Sequence, residues 1–287
     1  MSSANVTPTG RRKKPTFKEQ KARALKRVRE NPEYSSATGN KLPQKRFFRS
    51  RAHCNPLSHN DAVLYPKAPG CMYWRDIFPD WVDKQKSVSI VDIGCGFGGL
   101  TLSLAREFPN ERVVGLEIRP KVCEYVRRRI QASRNENKAI GLYKNAGVLL
   151  TNAMKYLPNY FHKAQLLKMF FCFADPHFKK KNHRRRIISD GLLHIYSYLL
   201  RPGGVLYTIT DVEELHVWIK NHCGKHPCFK AIKVEKDTSK DICIRLMRFE
   251  TEESKKVDRE GRKKYVAVYQ RIQDPNVKMI GFAKLPS

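Results

Sequence analysis

Acidic residues are scarce in this chain. Against 56 lysines and arginines stand 27 aspartates and glutamates, which leaves a formal charge of +29 over 287 residues. A surface this one-sided concentrates polyanions around it, and solubility alone seldom needs so large an excess of one sign. Long apolar runs are missing as well. None approaches the ~20 residues of a membrane span, and the N-terminus has no apolar stretch of the signal-peptide kind. No basic amphipathic helix with an aromatic face is visible, which makes a lipid surface the weaker candidate partner. No internal repeat appears, and no Gly/Ser- or Pro-rich linker interrupts the sequence after residue 85. The eight cysteines form no C-x-x-C pair, which argues against a zinc ribbon or a thioredoxin-type site. Cys223 and Cys228 lie near His222 and His226, yet no second Cys/His pair completes a tetrahedral set, so no metal is expected. Scattered thiols fit a reducing compartment, cytosol or nucleus.

What is present falls into segments. Residues 1–40 are polar and basic, with too little apolar surface to order themselves. They read as a disordered arm that contacts RNA or carries a nuclear signal. Residues 41–86 read as a leader packed on the domain that follows. Its stretch KRFFRSRAHCNPLS interleaves cations with Phe47 and Phe48. Arg49 and Arg51 can pair with phosphate while a ring stacks on a base, or the rings can pack inward with the arginines outward. Residues 87–275 read as a single α/β domain and 276–287 as a tail.

Within the domain, β-branched or aromatic runs alternate with helical patterns. SVSIVDI, RVVGLEI, AGVLLT, KMFFCFAD and VLYTITD read as buried strands. GGLTLSLAREF, PKVCEYVRRRIQASRN, RRRIISDGLLHIYSYLL and VEELHVWIKNH read as the helices between and after them. Two further strands, FKAIKVEKD and KKYVAVYQRI, come close together near the end. Such alternation predicts a Rossmann-like, mostly parallel seven-stranded sheet with helices on both faces and an antiparallel pair at one edge.

Chemistry concentrates at the strand ends. VDIGCGFGG places Gly94, Gly96, Gly98 and Gly99 after the first strand and before a helix, where missing Cβ atoms let a ligand meet the backbone. Gly94, Gly96 and Gly99 also satisfy G-x-G-x-x-G, so on that match alone a dinucleotide and an NAD-dependent oxidoreductase are possible. Asp92 just before the first glycine, and the extra Gly98, favour S-adenosylmethionine. Glu117 ends the second strand and can accept both hydroxyls of a ribose. Asn152 and Ala153 follow the third strand. The amide of Asn152 can pair with adenine or cap the helix that starts at AMKYL, and the sequence leaves both open.

After the fourth strand comes FADPHFKK. Asp175, held before Pro176, is the candidate catalytic residue. Its carboxylate can accept from N–H donors of a bound substrate. The run KKKNHRRR then puts Lys179, Lys180, Lys181, Arg184, Arg185 and Arg186 within eight residues, a natural holder of phosphates. Read as the start of a helix, the run would oppose the macrodipole, a strain that a bound polyanion would relieve.

Taken together, KRFFRSRAHCNP, DIGCGFGGL, GLEIR, NAMKYLPN, KMFFCFADPHFK, RIIS, GGVLYTITDVEELHVW and TEESKKV resemble the eukaryotic tRNA (guanine-N7)-methyltransferase family over residues 41–275. The resemblance implies the seven-stranded class I methyltransferase sheet, S-adenosylmethionine as cofactor and transfer to a variable-loop guanine of tRNA. It also implies a non-catalytic WD-repeat partner. The basic arm makes the nucleus the expected location, with the cytoplasm also open. By matching motifs, Gly94, Glu117, Arg119, Asn152, Ala153, Cys172, Thr251 and Glu253 should line the cofactor pocket, with Asp175 catalytic. Thr251 and Glu253 would otherwise read as part of a charged loop. Ala174 departs from the family's F-P-D-P-H and frees the backbone before Asp175, which raises the alternative of a tRNA-binding protein that has lost transfer. The stretch DTSKDICIRLMRF is unlike the family in detail.

Overall fold

The computed structural model describes residues 42–51, 54–58, 63–83, 86–235 and 241–273. The expected arm at 1–40 and tail at 276–287 lie outside them. Seven strands form one sheet: β1 Val88–Ile93, β2 Arg112–Glu117, β3 Ala146–Leu150, β4 Leu166–Cys172, β5 Leu200–Thr210, β6 Phe229–Ile232 and β7 Tyr265–Arg271. Their spatial order is β3-β2-β1-β4-β5-β7-β6. The pairs from β3 to β5 are parallel, and β7 runs antiparallel between β5 and β6. The expected mixed sheet is therefore present, with β7 inserted inside the edge. Among the described residues seven α-helices accompany it: α1 Gly99–Glu107, α2 Pro120–Glu136, α3 Ala153–Tyr160, α4 Asp190–Leu199, α5 Glu213–Lys225, α6 Ile242–Phe249 and α7 Glu252–Arg259. No helix among the described residues is long and apolar enough to cross a membrane.

The two-residue period of the strands sorts side chains to opposite faces. Val91 and Ile93 of β1, Met169 and Phe171 of β4, and Leu116 of β2 pack with α3, α4 and α5. Ile90, Val113 and Phe170 point the other way, into a core shared with α1, α2 and α6. Phe170 stacks on Tyr207 at 4.8 Å across the β4–β5 pair. Both faces are buried, which is why the central strands are apolar at nearly every position.

Three expectations need correction. The helix expected from residue 184 begins at Asp190, and the basic run forms a 3₁₀ turn, Lys180–Arg185, followed by extended residues. Arg186 is the cause. Its side chain is 1% exposed and donates to the Pro176 carbonyl (2.8 Å) and to Glu214 (2.6 Å), so residue 186 is held by partners outside any helix. The helix then opens with Asp190 in its first turn, which suits the macrodipole, and the argument that a polyanion must relieve strain there falls away. Second, the strand expected over 229–237 ends at Ile232, and the charged segments before β7 are helices. Asp241 caps α6 by accepting from Cys243 N–H, and Thr251 caps α7 by accepting from Ser254 N–H. Third, the strand expected as VLYTITD begins earlier, at Leu200, with residues 201–204 looped out of register between the pairs Leu166↔Leu200 and Lys168↔Val205.

The leader joins the domain through its 3₁₀ turn Lys45–Phe48. Phe48 is 1% exposed, meets Tyr125 edge-on at 5.5 Å and lies under the Arg128 guanidinium. Arg49 and Arg51 remain exposed, so the sequence divides inward ring from outward cation. Phe48→Ala should destabilise the fold by roughly 3–5 kcal/mol, the usual cost of an aromatic cavity, while Arg49→Ala should change it by less than about 0.5 kcal/mol. Urea unfolding checks this; equal midpoints would show the leader to be outside the cooperative unit.

Candidate cofactor cleft and catalytic edge

The carboxyl ends of β1, β2, β3 and β4 open on a cleft of about 190 Å³. Gly94, Glu117, Arg119, Asn152, Ala153, Cys172, Asp175 and Arg185 all line it. Gly96, Thr251 and Glu253 do not.

The four glycines divide into two pairs. Gly94 (φ 73°) and Gly96 (φ 55°) adopt left-handed backbone, and a Cβ at either would meet nothing closer than the Arg119 guanidinium at 4.0 Å. Those positions are an open cradle, the shape a ligand approaching the backbone requires. Gly98 and Gly99 face the protein instead. A Cβ at Gly98 would stand 2.7 Å from Val126, and one at Gly99 would stand 2.4 Å from the Glu250 carbonyl and 2.9 Å from the Glu252 carboxylate. The extra Gly98 thus serves helix packing and says nothing about the cofactor. The Glu252 carboxylate thus stands beside the first residue of α1, the helix end that a dinucleotide's pyrophosphate would use.

Asp92 is 2% exposed and accepts from the Thr101 hydroxyl at 2.7 Å. It ties β1 to α1 and does not line the cleft. Burial pushes its carboxyl up to about 7, against the lowering effect of the Thr101 hydrogen bond. Burial also raises the thiols of Cys95 and Cys172 well above their ordinary value, so Cys172 is an inert wall of the cleft.

Glu117 is 3% exposed and is already engaged. Oε1 accepts the Arg119 backbone N–H (2.8 Å) and Nε–H (3.0 Å), and Oε2 accepts from Nη2 (2.8 Å). A carboxylate offers about four acceptor positions, so one remains while Arg119 stays. A single ribose hydroxyl fits without rearrangement; two would require Arg119 to shift. Asn152 is engaged at both ends: Oδ1 caps α3 through Met154 N–H (3.1 Å), and one Nδ2 hydrogen goes to the Pro56 carbonyl (2.6 Å). The cap alternative therefore describes its side chain. Lys155 and Asn159 donate to the Leu57 and Pro66 carbonyls, and Tyr65 stacks on Tyr156 at 3.9 Å. This strap sets Cys54 and Pro56 as a wall of the cleft, a role that sequence reasoning missed.

Asp175 stands in a loop flanked by two non-glycine residues of positive φ, Phe173 (51°) and His177 (46°). Each costs about 1–2 kcal/mol and persists because neighbours hold it: Phe173 N–H donates to the Ile209 carbonyl, and Arg186 clamps Pro176. Arg186 also lies 4.6 Å from the Trp218 ring and holds the Glu214 carboxyl below its usual range by hydrogen bonding. Buried in this way, it cannot act as one of the cations expected to meet phosphate. Lys179, Lys180, Lys181 and Arg184 are exposed beside Phe178, itself 65% exposed.

Thr251 is the buried cap of α7, and Glu253 points outward, pairing loosely with Lys256 at 3.9 Å. The residue that reaches the glycine turn is Glu252. It accepts from Arg129 (2.7 Å) and Lys45 (3.2 Å), and Arg129 also donates to the Phe97 carbonyl (2.8 Å). A capping threonine followed by two acids is a helix-start signature, and it was present in TEESKK to be read. Of the zinc-like residues, Cys223 is buried in the core, His222 bonds the Trp218 carbonyl and His226 bonds His194 at 3.0 Å.

An open glycine turn and a strand-end carboxylate at the switch point of this sheet define a nucleoside-cofactor cleft of the methyltransferase class. Residues 86–267 match the family described as "Putative methyltransferase". A tRNA (guanine-N(7)-)-methyltransferase of Schizosaccharomyces pombe is 52% identical over 240 residues, covering 82% of this chain and 87% of its own. The enzyme of that name from Botryotinia fuckeliana is 42% identical over 283 residues, covering 91% and 98%. The chain belongs to the tRNA (guanine-N(7)-)-methyltransferase family.

The division of the glycines is testable. Gly98→Ala should lower the melting temperature more than Gly94→Ala, since a Cβ collides with Val126. Gly94→Ala should lose only the ~1–2 kcal/mol of its backbone conformation yet weaken S-adenosylhomocysteine binding in calorimetry. Intact binding in Gly94→Ala would remove the cradle assignment.

The Asp92 shift makes a second test. Its folded value lies above the unfolded one (3.8), so its contribution is fully present below pH ~4 and is lost as pH rises toward 7. Across that window wild type should lose stability relative to Asp92→Asn, by an amount on the order of a few kcal/mol. Urea midpoints at several pH values measure the difference; parallel curves would place the Asp92 carboxyl in contact with water.

Proposed function

We propose that this chain transfers the methyl group of S-adenosylmethionine to N7 of a guanine in the tRNA variable loop. The observation that carries the reading is a juxtaposition: Asp175 lines the same cleft as the open turn at Gly94 and the carboxylate of Glu117. When bound, the cofactor supplies an electrophilic methyl on a sulfonium. The fit rests on this chain's own shape. Gly94 and Gly96 leave room for a ligand against the backbone, Glu117 keeps an acceptor position for a ribose hydroxyl, and the segment at Asn152 and Ala153 offers backbone to an adenine edge.

Asp175 accepts from guanine N1–H and the exocyclic amine and turns N7 toward the methyl-bearing side of the cleft. No proton leaves N7, so the residues need to orient and to exclude water rather than to act as a base. A carboxylate beside the ring also stabilises the positive charge that methylation leaves on the base. Lys179, Lys180, Lys181 and Arg184, with Arg49 and Arg51 on the leader, are exposed and suited to the tRNA backbone. The reading as a tRNA-binding protein without transfer rested on Ala174. Against it stands the placement of Ala174 and Asp175 together in the cleft, in a turn held by Phe173 and Arg186. The proposal includes a WD-repeat subunit as partner and a nuclear site of action, both supported by the family resemblance and the basic N-terminal sequence.

The test is to map methylated positions in tRNA treated with the purified chain, alone and with a WD-repeat subunit. Asp175→Ala should cut turnover by more than about tenfold with S-adenosylhomocysteine affinity little changed, the pattern of an interaction made in the transition state. Turnover near wild type would leave Asp175 a structural turn, and methyl groups at positions other than guanine N7 would overturn the substrate assignment.

A further inference from the structure

The basic run after β4 does not act as one patch. Lys179, Lys180, Lys181 and Arg184 face solvent, and Arg186 is buried on Pro176 and Glu214. Arg185 does neither. It lines the cleft with Ala174, Asp175 and His177. Its Nε is shut off from water with no acceptor, and its guanidinium makes no hydrogen bond or ion pair among the described residues. The cleft's other arginine, Arg119, already commits its Nε and Nη2 to Glu117. An Nε–H shut away from water without an acceptor costs stability, and an anion entering the cleft can supply that acceptor.

Two anionic groups could reach it. The cofactor's carboxylate would follow the glycine turn at the end of β1, whereas Arg185 comes from the segment after β4, the one that carries Asp175. The other anion belongs to the substrate. A guanine cannot enter a cleft while stacked in RNA; it has to be turned out, and its flanking phosphate comes with it. The exposed lysines next to Arg185 continue the positive path outward along the strand. We propose that Arg185 binds a phosphate flanking the target guanosine, with its planar fork on the phosphate oxygens. It thereby sets how deeply the extruded base sits against Asp175. This makes Arg185 a positioning residue rather than one more contact to the tRNA backbone, and it rests on the reading of the chain as a guanine-N7 methyltransferase.

Single-turnover methylation by the full chain, with a WD-repeat subunit if mapping requires it, tests the idea. The variants are Arg185→Ala and Arg185→Gln, the second keeping much of the stem. The substrates are tRNA and two tRNAs carrying one methylphosphonate, 5′ or 3′ of the target guanosine. Both variants should slow the saturated rate by about tenfold or more, with S-adenosylhomocysteine affinity within about twofold of wild type. One methylphosphonate should slow wild type to a similar degree, and on that tRNA the Arg185 variants should add no further loss, as a shared interaction requires. Losses that multiply on both modified tRNAs, or rates equal to wild type, would overturn the phosphate contact. A large fall in S-adenosylhomocysteine affinity would reassign Arg185 to the cofactor's carboxylate. If wild type methylates no guanine at all, the parent reading fails, an outcome distinct from each of these.

Discussion

The close approach of chain to chain around the turn from Ile93 to Gly99 governs this structure. On one side α2 presses Val126 against Gly98, and the segment between α6 and α7 brings the Glu250 carbonyl against Gly99. No residue with a Cβ fits either place. Glu252 then gathers Lys45 from the leader and Arg129 from α2, and Arg129 holds the Phe97 carbonyl. The turn is clamped from behind by three parts of the chain far apart in sequence. With its back fixed, its front at Gly94 and Gly96 stays open, and that asymmetry makes the strand end a binding site rather than a packed corner.

The same economy holds for charge. The chain carries a large cationic excess, yet the cations nearest the chemistry are individually accounted for. Arg119 orders Glu117, and Arg186 orders the turn that presents Asp175. Among the described residues, Arg185 faces the cleft without a hydrogen-bond or ion-pair partner. Pairing an arginine with a carbonyl or carboxylate at the cost of its exposure gives a rigid scaffold, and the strained φ values at Phe173 and His177 are tolerated because that scaffold surrounds them.

Much of the architecture was legible in the sequence because the relevant signals are local. Buried parallel strands are uninterrupted β-branched and aromatic runs, and SVSIVDI or KMFFC cannot satisfy a one-sided helix. Strand, glycine turn and helix follow one another within a dozen residues, so the cleft's position at the end of β1 follows from order alone. Helices α6 and α7 had local signals too, the caps Asp241 and Thr251, but their dense charge made them resemble loops.

The sequence by itself determined the sheet, its strand ends, the cationic excess and the set of residue types gathered near Asp175, because periodicity and composition act over neighbouring residues. Only the tertiary structure decided what each side chain does there. Gly98 and Gly99 look identical to Gly94 and Gly96 until the packing of Val126 and Glu250 is known. Arg184, Arg185 and Arg186 are three equal letters, yet one faces water, one faces the cleft and one is buried. A side chain's role is set by which acceptors surround it, and those come from the leader, α5 and α7, tens to hundreds of residues away. No pattern local to the motif contains that information.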